Sequence, residues 1–119
     1  MIAFDAAQLV GTGGAIGALL RHAISKRVPS EEYPLGTFAV NVLGSFALGI
    51  LTFAGVGGDA ALLVGTGACG AFTTFSSFAY ETVRFAEADE YGKAAVYSLG
   101  TLAAAGGAVL LAWLVTRAF

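Results

Sequence analysis

Four runs without a single Asp, Glu, Lys or Arg divide the chain, over residues 6–20, 33–58, 60–80 and 94–116. A helix needs about 20 mostly apolar residues to cross a bilayer. The last three runs meet that length. The first does so only if Asp5 and Arg21 sit at the two interfaces, or if Arg21 turns into a polar interior. The pattern predicts an all-α membrane protein: one domain, 1–119, of four spans over approximately 4–24, 33–55, 60–86 and 93–117. Polar or glycine-rich segments fall between the runs: 25–34 with Lys26, Arg27, Pro29, Glu31, Glu32 and Pro34, the turn 55–59, and 87–93. Tyr33, Tyr91, Trp113 and Phe119 lie near span ends, where amphipathic rings favour the interface.

Glycine and alanine recur inside the runs at helical spacing. Gly13 and Gly17 are four apart, as are Gly14 and Ala18, while Gly100, Ala104, Ala108 and Ala112 form a stripe. Small residues at this spacing let helix backbones approach closely in lipid. The stripes serve either packing within one chain or a subunit interface.

Composition agrees with the pattern. Of 119 residues, 57% are hydrophobic and 12% charged, against about 25% charged in a soluble domain. A net charge of −2 gives no reason to expect a nucleic-acid partner. Cys69 is the only cysteine, which excludes an intrachain disulfide, and no Cys/His cluster suggests zinc. The first run has no basic segment before it and reads as a retained helix, not a signal peptide. Four spans place both termini on one side. The opposite side carries Arg21, Lys26, Arg27, Arg84 and Lys93, against Arg117 on the side of the termini. The positive-inside rule therefore puts both termini outside.

The chemistry concentrates in residues 65–78, GTGACGAFTTFSSF. Thr73, Thr74, Ser76 and Ser77 place four hydroxyls in five residues, after Gly65, Gly67 and Gly70. Glycine with serine and threonine predicts a third helix broken near the bilayer centre. Non-helical backbone at that depth persists only where protein or water covers it, because an unpaired buried polar group costs roughly 2–7 kcal/mol. The segment is uncharged, so a bound ion meets dipoles: freed carbonyls for a small cation, or hydroxyls, amides and the positive edges of Phe75 and Phe78 for a small anion. Weak binding of that kind suits conduction. Against this stands a plainer reading, in which the hydroxyls bond back to their own helix.

The segment resembles the GGxTTFSTF signature of the small fluoride channels called Fluc or CrcB. Gly13–Gly14–Ala15–Ile16–Gly17–Ala18 followed by Arg21 is similar to that family's first-helix GGxxGAxxR pattern, and FAVNVLG at 38–44 to its second-helix NxxG. Tyr97 falls where its fourth helix carries a pore tyrosine. Ala71 and Ser77 depart from the signature, and Ala105 stands where some members have a serine. The resemblance runs the length of the chain.

The resemblance implies a passive fluoride channel in the cell membrane, formed by two antiparallel subunits with two pores. Such a channel releases fluoride that enters as the neutral acid and is trapped inside. Phe75 and Phe78 would meet fluoride edge-on, Asn41 would donate to it, and Tyr97 and Thr101 would extend a polar track joined by Thr74, Ser77 and Thr37. A structural sodium (Na+) would bind the main-chain carbonyls of Gly70 and Thr73. Arg21 and Glu81 would lie at the pore entrance. Plainer roles are a snorkelling side chain for Arg21, a span-end acid for Glu81, and a bond between helices for Asn41. The charge bias leaves two arrangements open: a homodimer, or a pair with a paralogous subunit of opposite orientation.

Two other functions compete. A small multidrug transporter would need an ionisable group within a span, and the first run has no acid between Gly11 and Leu20. A scaffold subunit would need no buried hydroxyl and aromatic cluster. An enzyme has no nucleophile–base arrangement in its favour. GTGGAIG does not fit G-x-G-x-x-G, since Ile16 takes the third glycine position.

Overall fold

The computed structural model describes residues 4–28 and 32–119, and every regular element among them is helical. Helix α1, Ala6–Arg27, starts on a reciprocal cap. The Gln8 N–H donates to Asp5 Oδ1 at 2.8 Å and the Asp5 N–H donates to Gln8 Oε1 at 3.0 Å. This satisfies two amides that a helix start otherwise leaves unpaired, and such caps contribute about 0.5–2 kcal/mol. Lys26 and Arg27 occupy its last turn, where cations complement the helix dipole.

Helix α2, Leu35–Phe53, follows Pro34. The third helical run has four parts: α3, Gly58–Ala60; a π-helical stretch, Ala61–Cys69; α4, Gly70–Phe72; and α5, Phe75–Glu87. Between α4 and α5 the chain is extended at Thr73 (φ −82°, ψ 160°) and Thr74 (φ −148°, ψ 121°). Helix α6 covers Tyr91–Ala118. At 1.5 Å per residue its 28 residues extend about 42 Å, more than the roughly 30 Å of a hydrocarbon core.

Among the described residues, three stretches are long and apolar enough to cross a membrane: Leu35–Phe53, Gly58–Glu87 and Tyr91–Ala118. Helix α1 is not among them, for it carries Gln8, Arg21 and His22 along with its glycines.

Close approach decides the packing. Helix α1 lies along the 61–72 part of the third run, α2 lies along α6, and α5 packs on α6. Gly13 and Gly17 press against the main chain of the third run. A methyl at Gly13 would overlap the Leu63 carbonyl, and one at Gly17 the Ala68 carbonyl. From the other side, Gly67 meets the Val10 carbonyl and Gly13 Cα. The rare π form coincides with this contact. The GxxxG pair of α1 thus serves packing within the chain. On α6 the lower half of the small-residue stripe, Ala108 and Ala112, is buried, while Gly100 faces open space. Large apolar side chains such as Leu19, Val96, Leu99 and Leu102 point outward, the arrangement a lipid solvent permits.

Candidate functional site at the broken helix

The break is held by one side chain. Asn41, in the middle of α2, meets Thr74 with both ends of its amide. Its Nδ2 donates to the Thr74 carbonyl at 2.9 Å, and its Oδ1 accepts from the Thr74 N–H at 2.7 Å. Thr74 is 8% exposed, so these main-chain groups would otherwise be left unpaired away from water. Thr74 also caps α5, its Oγ1 accepting from the Ser77 N–H at 3.2 Å and lying 3.2 Å from the Ser76 hydroxyl. Thr73 closes the other end, where its N–H and its hydroxyl both donate to the Cys69 carbonyl, at 3.1 and 3.0 Å. Gly44, one turn along from Asn41, lets α2 come this near, because a methyl there would overlap the Thr73 side chain.

The diverted amides have a consequence. In a continuous helix the Thr74 and Ser77 N–H groups would bond the Gly70 and Thr73 carbonyls. Here they go to Asn41 and to Thr74 Oγ1. The two carbonyls therefore lose their helical donors at the break.

A groove of about 330 Å³ opens beside it. Asn41, Thr73, Thr74, Phe75, Phe78 and Thr101 line it together with Gly44, Ser45, Leu48, Leu102 and Ala105, and none of these is ionisable. Phe75 and Phe78 stand with ring centroids 5.9 Å apart, and Phe75 is 78% exposed in the single chain. Phe78 in turn contacts Tyr97, at 5.5 Å between centroids. Tyr97 is fully buried (0%) and Thr101, one turn on, is 5% exposed. Among the described residues neither hydroxyl has a hydrogen-bond partner. A buried hydroxyl without a partner costs about 1–3 kcal/mol; Thr101 lines the groove and stands ready for a ligand, while Tyr97 lies behind the groove's lining against Phe78.

A second cavity, about 310 Å³, lies at the far end of α5 among Glu32, Glu81, Arg84, Glu90 and Lys93. Glu90 and Lys93 pair at 3.2 Å. Glu81 accepts a hydrogen bond from the Thr37 hydroxyl at 2.9 Å, and both lie close enough to the Tyr97 hydroxyl to act on it electrostatically.

The structure thus gathers Asn41, Thr73, Thr74, Phe75, Phe78 and Thr101 around the groove, with Ser77 at its cap and Thr37, Glu81 and Tyr97 following on. Gly70 is exposed on the near side of the break. Arg21 stands apart on α1, half-buried, its side chain lining neither cavity. Sequence reasoning passed over Ser45 and Leu48, although Asn41, Gly44, Ser45 and Leu48 recur at the 3–4 spacing of one helix face. It also placed Tyr33 with the interfacial rings, whereas Tyr33 packs inward on Tyr97.

Comparison with known proteins adds to this geometry. Residues 8–114 match the family described as CrcB-like protein, Camphor Resistance (CrcB). Among similar proteins, fluoride-specific ion channel FluC 2 of Haloarcula marismortui is 57% identical over 117 residues, covering 98% of each chain. Fluoride-specific ion channel FluC 1 of Halobacterium salinarum is 55% identical over 108 residues, 91% of each. Fluoride-specific ion channel FluC of Helicobacter pylori strain 26695 is 37% identical over 116 residues, 90% of this chain and 89% of its own. By the extent of the family match and the identity of these relatives, the chain belongs to the CrcB family.

Proposed function

We propose that the chain is a subunit of a passive, fluoride-selective channel that lowers internal fluoride by letting the anion leave down its electrochemical gradient. The observation that carries this is the uncharged groove at the break, where phenyl edges, an amide and an orphaned hydroxyl converge. Fluoride is small and strongly hydrated, and only several short donor contacts can replace its water. Each donor is neutral, so the ion is held without being trapped. The names of the relatives support the same ion.

In this reading four spans cross the cell membrane, α1 being the least apolar. Two subunits pack antiparallel and each of two pores runs past one break. Phe75, open in the single chain, meets the partner there. The second subunit is a further copy or a paralogous chain of opposite orientation. The Gly70 and Thr73 carbonyls, deprived of helical donors, suit a structural sodium ion between the subunits. Arg21 and Glu81 serve the pore entrance.

Liposomes containing the purified chain test the proposal. Fluoride should leave them while chloride stays, and equal release of both ions, or of neither, rejects fluoride selectivity. Flux from the chain purified alone would refute a strict need for a paralogous partner. Replacing sodium by a large organic cation should lower the flux reversibly, and unchanged flux would reject the sodium.

A further inference from the structure

Tyr33 precedes Pro34 just before α2. A residue before proline is held to extended conformations, which limits where its side chain can go. A tyrosine at a span end ordinarily lies among lipid headgroups, but this ring turns inward. It meets the buried Tyr97 edge-on, with centroids 5.4 Å apart and planes at 84°. Phe85 of α5 closes the next side of Tyr97 at 6.0 Å and 65°, and touches Tyr33 at 6.1 Å. Phe78 holds the side toward the groove. Three rings, one from the segment before α2 and two from α5, therefore fix one phenol. Its hydroxyl, unpaired among the described residues, has no hydrogen bond of its own to set its direction.

We infer that Tyr33 is a positioning residue, whose ring orients the Tyr97 hydroxyl toward the ion path. The inference rests on the channel reading above. Orientation by hydrogen bonding would require a donor or acceptor at the Tyr97 oxygen, and among the described residues none lies within bonding geometry, although Thr37 is near enough to act on it. Orientation by ring packing needs the face and edge of Tyr33, not its hydroxyl.

Fluoride efflux from liposomes and 19F NMR of protein labelled with 3-fluorotyrosine test this together. The chain has four tyrosines, and the signal missing from Tyr97→Phe assigns Tyr97. Tyr33→Leu should lower flux about two- to tenfold, the change expected for one aromatic pair. Tyr33→Phe should restore it. In a Tyr97→Phe background Tyr33→Leu should cost nothing more, because the group it orients is gone. In NMR, Tyr33→Leu should shift and narrow the Tyr97 signal, and Tyr33→Phe should leave it in place. Should the leucine variant be recovered poorly, Tyr33→Met keeps the length and removes the ring. Full flux in Tyr33→Leu, or losses that multiply in the double variant, would overturn the inference. If the parent protein conducts no fluoride, the channel reading fails, and the NMR arm alone decides the positioning role. An unmoved Tyr97 signal in Tyr33→Leu then refutes it.

Discussion

Replacing Asn41 by leucine removes both bonds that hold the broken helix open, the one from Nδ2 to the Thr74 carbonyl and the one from the Thr74 N–H to Oδ1. Leucine has the same branched side chain of four heavy atoms as asparagine, so no space opens for water. Each main-chain group left unpaired at this buried position costs about 1–3 kcal/mol, hence about 2–6 kcal/mol for the two. A continuous helix through 73–74 would recover the Gly70–Thr74 bond, so the cost drives the break to close and carries Phe75 away from the groove. At 1.36 kcal/mol per tenfold, the population of the open break falls about 30-fold at the least. Fluoride efflux from liposomes should fall in step, while circular dichroism stays helical. Asn41→Ala should lose less, since the smaller side chain admits a water that can serve Thr74. Flux from Asn41→Leu within about threefold of the parent would refute the clamp. A larger loss in alanine than in leucine would refute the desolvation argument.

Three further outcomes follow from the geometry. Gly17→Ala puts a methyl on the Ala68 carbonyl, and overpacking of this kind costs about 1–3 kcal/mol; thermal unfolding in detergent should show the loss, and an unchanged midpoint would contradict the contact. Thr101→Val keeps shape while removing a buried hydroxyl without a partner among the described residues. Stability should hold or rise, whereas flux should fall about tenfold, the scale of one hydrogen bond to a charged group; a joint fall in both would make the hydroxyl structural. Phe75→Leu changes an exposed ring, so subunit stability should move by no more than about 0.5 kcal/mol while fluoride flux drops; a loss of stability with intact flux would assign Phe75 to packing.

The sequence by itself determined the solvent and the kind of site. Long uncharged runs can be covered only by lipid, and their ends fall at charges and glycines that are visible in the chain. The break too was legible, because Gly70, Thr73 and Thr74 weaken a helix wherever they stand, and the hydroxyl run names its chemistry. Tertiary structure decided what these features meet. Gly13 and Gly17 fit a subunit interface or a neighbouring helix equally well on paper, and only the approach of the Leu63 and Ala68 backbone commits them to the latter. Asn41 reads as a donor for an ion. Contact with Thr74, 33 residues away, makes it the support of the break as well. Tyr33 carries the composition of an interfacial ring, yet its orientation depends on Tyr97 and Phe85 of other helices. Local sequence sets propensity and polarity residue by residue, whereas pairing between distant segments depends on the whole packed arrangement, and no single stretch encodes it.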